Sequence, residues 1–283
     1  MIVDFHTHIH PPQLRERREH YLERDATFRE LYSDPKARLA TAEDLLEAMD
    51  EDGVDVSVVM GAGWADKGLA RESNDYIIEA VGRHPKKLVG FASVNPAWGE
   101  KAAAEVERCA EAGLRGVGEL HPDTQGFDLG DADTMAPLME VVRRRGLIVT
   151  THSSEPVGHT YSGKGTVRPE ALWRFIESYP DVTLVCAHWG GGLPFYALMP
   201  EVADALASVY FDTAASPFLY DAKVFPTASA LVGAGRILMG SDYPLLKARR
   251  LVAQVRGSSL AAGEQAAILG GNAEKLLKLN KLG

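Results

Sequence analysis

Cysteine is scarce: Cys109 and Cys186 are the only two in 283 residues. Cys186 lies inside the apolar run VTLVCAH, the setting of a small buried thiol, so both are read as inert and reduced, as in a reducing compartment. No apolar run approaches the roughly 18 residues needed to cross a bilayer, which argues against a membrane protein. The chain opens on Met-Ile-Val-Asp-Phe-His, without the basic and apolar stretches of a secretory leader, and a cytoplasmic location is expected. Positive charge is also in deficit. A net charge of −9 provides no broad field for phosphate backbones, so nucleic acid is not an expected partner.

What remains is ordinary globular usage, with 46% hydrophobic and 24% charged residues. Eight short apolar, β-branched runs recur at 2–6, 55–60, 88–93, 115–120, 147–152, 182–188, 208–212 and 236–242. Between them lie segments with helical spacing, among them 42–52, 74–82, 102–112 and 135–145. Thr41 is a candidate N-cap, and Gly53, Gly113 and Gly146 fall just past helix ends. Strands alternating with helices predict a parallel sheet covered on both faces, and eight such units predict a single α/β domain over 1–283, a (β/α)8 TIM barrel. A doubly wound open sheet is the alternative, but the turn after the first strand lacks its glycine-rich phosphate fingerprint.

The first strand-to-helix connection, residues 9–40, is far longer than usual and carries Arg15, Glu16, Arg17, Arg18 and Glu19 in succession. It reads as a charged, solvated helical insertion after strand 1, or as a lid over the functional mouth.

Polar residues gather at strand ends. His6 and His8 stand two apart on the first strand, so simple alternation turns both to one face with Asp4 one step below. Glu119 ends the fourth candidate strand, His152 the fifth, His188 the sixth and Asp242 the eighth. In a parallel barrel these C-terminal ends converge on one mouth. Imidazoles and carboxylates without matching cysteines suit a first-row divalent cation, zinc by expectation, in a catalytic site. Trp64, Trp189, Tyr161 and Tyr243 follow strand ends and either wall a pocket or pack under loops. Glu155, His159, Lys164 and Arg168 are candidates to meet a polar substrate, and Gly190-Gly191-Gly192 reads as a tight turn.

The motifs DFHTH at 4–8, TTH ending at His152, AHWGGGLPF at 187–195, GSDYP at 240–244 and GGNAEKLLKL at 270–279 resemble the amidohydrolase superfamily. Together with 74–96 they resemble its amidohydrolase-related branch, which includes aminocarboxymuconate-semialdehyde decarboxylase. The resemblance implies metal ligation by His6, His8, His152 and Asp242, with one ion or two. His188 would then be an acid or base beside one ion, or a ligand to a second. Glu119 is a candidate bridge between two ions, and His121 is expected to shape its loop. Asp242 and His188 are the candidate catalytic pair. The leading expectation is a hydrolase cleaving an amide, lactone or ester-like bond of a small molecule by metal-activated water. The alternative is a metal-dependent non-oxidative decarboxylase of a small carboxylic acid, for which no arginine can be assigned to the substrate carboxylate from sequence. A metal-stabilised scaffold without turnover is the third reading. Related proteins are commonly dimers, so a homodimer is an expectation.

Overall fold

The computed structural model describes residues 1–279 of the chain; the end of the expected domain, 280–283, lies outside the described residues. Eight parallel strands follow one another in sequence order around a (β/α)8 barrel. They are β1 (Val3–His8), β2 (Val56–Met60), β3 (Leu88–Ala92), β4 (Gly116–Leu120), β5 (Ile148–Thr151), β6 (Thr183–Cys186), β7 (Tyr210–Asp212) and β8 (Ile237–Leu238). All eight expected strands are present. The eighth is shorter than its apolar run because the chain turns away at Gly240, whose α-carbon passes so close to His6 that a Cβ would lie 2.8 Å from that side chain. The segment beyond β8 closes the barrel against β1, with Asp242 N donating to His6 O at 2.9 Å and His8 N donating to Tyr243 O at 2.7 Å.

Strand β1 departs from simple alternation. Asp4 pairs with Ser57 and Thr7 with Val59, so three steps on β1 span two on β2, a bulge that re-aims the side chains beyond it. Asp4 does not lie one step below His6 and His8 as alternation predicted. Its carboxylate instead accepts from Ser241 N at 2.9 Å and Ser241 Oγ at 2.5 Å, pinning the turn that carries Asp242.

The helices form where the spacing placed them. Ala42–Asp52 begins in a capping box between Thr41 and Asp44 and ends at Gly53 with φ of 69°. Lys67–Arg83 contains the expected 74–82, and Ala132–Arg145 ends at left-handed Gly146. Apolar faces of these helices, and of Glu100–Glu111, Pro169–Ser178 and Ala248–Gly257, pack onto the outer face of the sheet around Ile77, Val106, Leu138, Phe175 and Leu251. No helix among the described residues is long and apolar enough to cross a membrane.

The connection after β1 differs from a solvated insertion. It forms three short helices, α1 (Pro12–Glu16), α2 (Arg18–Arg24) and α3 (Ala26–Tyr32). Their charges face outward, but Leu14, Tyr21, Phe28 and Tyr32 turn inward and build a core with Trp64 and Leu69 from the next unit. Arg24 fastens the insertion through Asp66 at 2.7 Å and Glu72 at 2.9 Å. Phe28 is fully buried there. Phe28→Ala is therefore expected to lower stability by about 3–5 kcal/mol. Urea unfolding measures this; a loss under about 1 kcal/mol would mean that the insertion does not share the fold's cooperative core.

Candidate metal centre

The strand ends bring all six expected residues together. His6 and His8 come from β1, Glu119 from β4, His152 from the residue after β5, His188 from the turn after β6, and Asp242 from the turn after β8. His188 and Asp242 adopt left-handed backbone, with φ of 54° and 66°, so each leaves its strand sharply and presents its side chain over the barrel mouth. The glycines 190–192 continue the first of these turns. A Cβ on Gly191 would fall 2.2 Å from Ser154 O, so the tight turn expected there is required by close backbone approach.

Hydrogen bonds behind the rings set their tautomers. His6 Nδ1 donates to Asp212 Oδ2 at 2.8 Å, His8 Nδ1 to Gly61 O at 3.2 Å, and His188 Nδ1 to Ala214 O at 3.1 Å. Each bond leaves the corresponding Nε2 facing inward. His152 is turned the other way: its Nε2 lies 3.3 Å from Lys164 O and its Nδ1 faces Glu119 Oε1 at 3.1 Å. Such partners fix ring orientation and basicity in metal sites.

Glu119 stands in the middle. Its Oε2 lies 3.6 Å from His6 Nε2 and 3.7 Å from His8 Nε2, while Oε1 lies 3.4 Å from His188 Nε2. Asp242 Oδ1 is 3.3 Å from His8 Nε2. Two compact donor groups result, His6–His8–Glu119 and Glu119–His152–His188, sharing the glutamate. His6 Nε2 and His8 Nε2 approach to 3.1 Å. Two inward lone pairs repel at that distance, so a proton or a metal ion has to lie between them.

The charge balance makes the same demand. Burial alone would raise Glu119, but His6 together with hydrogen bonds from His152 and His188 outweighs it and holds the carboxyl well below its usual range. Asp242 is lowered against its own burial by His8, His6 and His188. For His188, burial is outweighed by Glu119 and Asp242, and the imidazole is pushed up to about 9. Buried anions thus draw positive charge into this cluster. A divalent ion fits it, because the nitrogen and oxygen donors already converge and displaced protons are all it needs to shed.

A cavity of about 630 Å³ opens above the cluster. Its floor includes His8, Glu119, His152, His188 and Asp242, and Lys36 and Arg38 of the insertion line it as well. Tyr161 lines this cavity, whereas Trp64 and Trp189 are fully buried packing residues and Tyr243 donates to Asp44 O at 3.1 Å. Tyr161 also donates to Glu155 at 3.1 Å. His159 reaches the cavity; Lys164 Nζ is turned back to its own loop's carbonyls. His121 stacks on His152 with centroids 4.4 Å apart, and burial lowers it to about 4.

Two contributors escaped the sequence reading. Asp212 ends β7 and orients His6, while its other oxygen accepts from His188 N at 3.0 Å. It obeyed the same strand-end rule as the six expected residues. Tyr32, from α3, lines the cavity although it belongs to a distant insertion, and burial followed by the Asp242 and Glu119 charges pushes its phenol up.

The family model described as Amidohydrolase matches residues 3–279. The 2-amino-3-carboxymuconate-6-semialdehyde decarboxylase of Dictyostelium discoideum is 25% identical, over 98% of this chain and 92% of that protein. The gamma-resorcylate decarboxylase of Polaromonas sp. is 23% identical, over 87% and 90% respectively. Among solved structures, 5-carboxyvanillate decarboxylase from Novosphingobium aromaticivorans, complexed with manganese and 4-hydroxy-3-methoxy-5-nitrobenzoic acid, shares the fold with a TM-score of 0.80. That match is 18% identical and covers 98% of this chain and 96% of the other.

Asp212 is the supporting carboxylate whose removal isolates the orienting effect. Asp212→Asn is expected to weaken divalent-metal binding by about 10–100-fold. Competition with a fluorescent chelator measures this, and unchanged affinity would remove Asp212 from the account of His6.

Proposed function

Since this chain belongs to the amidohydrolase family, we propose that it catalyses the metal-dependent, non-oxidative decarboxylation of a small aromatic or conjugated carboxylic acid. The alternative of the sequence reading thereby takes precedence over the hydrolase. The observation that carries the reading is the setting of His188, whose Nδ1–H is tied back to Ala214 O while Nε2 is turned toward Glu119 and the cavity. It is a proton donor set in the floor on which an acid would rest. The near full-length likeness to decarboxylases supports the choice of reaction.

His6, His8, His152 and Asp242 would hold the ion, with Glu119 among or between the donor groups. When bound, a divalent ion supplies Lewis acidity toward a substrate oxygen. The mixed imidazole and carboxylate donors accept zinc, the expected metal, and equally manganese, the ion present with the 5-carboxyvanillate decarboxylase. Lys36 and Arg38 provide the cations that the sequence left unassigned for a substrate carboxylate. His188 delivers its Nε2 proton to the carbon bearing the carboxylate. The bond from that carbon to the carboxylate then breaks, its electron pair returns to the conjugated system, and carbon dioxide leaves. A solvent proton restores His188, so one proton is consumed and one carbon dioxide released per turnover.

Hydrolysis remains the second reading because Glu119 belongs to both donor groups and would be shared by two ions if both groups held one. In that reaction His188 becomes a ligand and Asp242 takes and returns the proton.

Zinc- or manganese-loaded protein is expected to release carbon dioxide from members of a hydroxybenzoate and muconate panel, leaving deuterium at the vacated carbon in heavy water. His188→Asn is expected to reduce turnover by about 10²-fold or more while metal content stays unchanged. Carbon dioxide trapping with mass spectrometry checks both. Cleavage of lactones or amides with no carbon dioxide from any acid would put hydrolysis in its place.

A further inference from the structure

His10 and Tyr32 form a pair that the proton transfer leaves unused. His10 follows β1 and is almost completely buried, at 1% exposure. Its Nε2 lies 2.9 Å from the Tyr32 hydroxyl, and its Nδ1 is buried without a hydrogen-bond partner among the described residues. The two rings meet edge-on, with centroids 5.4 Å apart, and the indole of Trp64 packs against His10 with centroids 5.5 Å apart. Tyr32 lines the same cavity as His8, Glu119 and Asp242.

The orphaned nitrogen decides which way this hydrogen bond runs. A neutral imidazole carries one N–H, and a buried N–H without an acceptor is the rarer and costlier defect, whereas an unfilled lone pair is better tolerated. The proton therefore sits on Nε2 and is donated to the Tyr32 oxygen. Tyr32 then keeps its own O–H for another acceptor, and the cavity is where a substrate can supply one. Had His10 accepted from Tyr32, its Nδ1–H would be stranded and the phenol would have no donor to offer.

Resting on the decarboxylase reading, we propose that Tyr32 is a specificity-determining residue that donates to an oxygen substituent of the acid beside the metal-binding cluster. His10 is the positioning residue that aims it. The preferred substrates are acids with a hydroxyl, phenolate or keto oxygen near the carboxylate. An unsubstituted acid leaves the Tyr32 donor unpaired in a desolvated cavity, which is how a hydrogen-bonding site rejects an analogue lacking the partner. The insertion after β1 thus contributes chemistry to the site through one residue of α3, and its packed core is what holds that residue in place.

The test compares salicylate with benzoate, which differ by one hydroxyl, by titration calorimetry on manganese-loaded protein. Wild type is expected to bind salicylate about tenfold or more tighter, the worth of one good hydrogen bond to a charged or polarised oxygen. That preference should collapse toward one in Tyr32→Phe and in His10→Phe, and should return in His10→Gln, whose amide restores a donor. Metal content should stay unchanged in Tyr32→Phe while benzoate affinity holds or rises as the unpaired donor is removed, which a merely structural role would not produce. If His10→Phe fails to fold, Tyr32→Phe carries the comparison alone. A preference that persists in Tyr32→Phe, or that is absent from wild type, overturns this inference and leaves decarboxylation standing. Failure of wild type to bind either acid also overturns this inference, while the decarboxylase reading falls only if no acid of the panel releases carbon dioxide.

Discussion

Everything at the mouth of this barrel answers to one electrostatic constraint: carboxylates buried among inward-facing imidazoles require positive charge between them. Glu119 is buried, Asp242 is partly buried, and Asp212 behind His6 is fully buried. A charge taken out of water is costly unless paired, so Glu119 and Asp242 would not keep their ionised form at this depth without the imidazoles around them. The carbonyls of Gly61 and Ala214 and the Asp212 carboxylate hold protons on the outer ring nitrogens, which turns the inner ones toward the cluster. The same hydrogen bonds that complete the fold at the strand ends therefore prepare the donors.

The barrel supplies the convergence and the connections supply the aim. Parallel strands bring residues more than two hundred positions apart to one point, and the positive-φ turns at His188 and Asp242 lift the two side chains off their strands. Asp4 and Ser241 brace the second turn from beneath. Over this floor the insertion contributes a wall. Its core of Leu14, Tyr21, Phe28 and Trp64 makes the wall part of the folded body, so Tyr32, Lys36 and Arg38 stand over the site on a packed support.

Much of this was legible in the sequence because barrel geometry maps strand ends to a single place. The six metal-site candidates were found that way, and Asp212 satisfied the same rule at the end of 208–212 without being singled out. The bulge in β1 was not legible, since period-2 patterning carries no mark of an inserted residue; Asp4 was misplaced for that reason. The insertion's core was hidden by its charges. Leu14, Tyr21 and Phe28 recur at intervals of seven, a spacing that points to one buried face, but charged residues around them suggested a solvated segment. The direction of the His10–Tyr32 hydrogen bond depends on an unpartnered buried atom, which only coordinates reveal.

The central claim is that a divalent ion, rather than protons alone, completes this cluster. Urea unfolding of chelator-treated protein across a zinc or manganese titration tests it most directly. An ion bound by the folded cluster and not by the unfolded chain should stabilise the protein by about 2.7 kcal/mol at a free concentration one hundred times its dissociation constant, and more as the concentration rises. Stability that does not respond to either metal would contradict the account and leave imidazolium protons as the charge that the buried carboxylates hold.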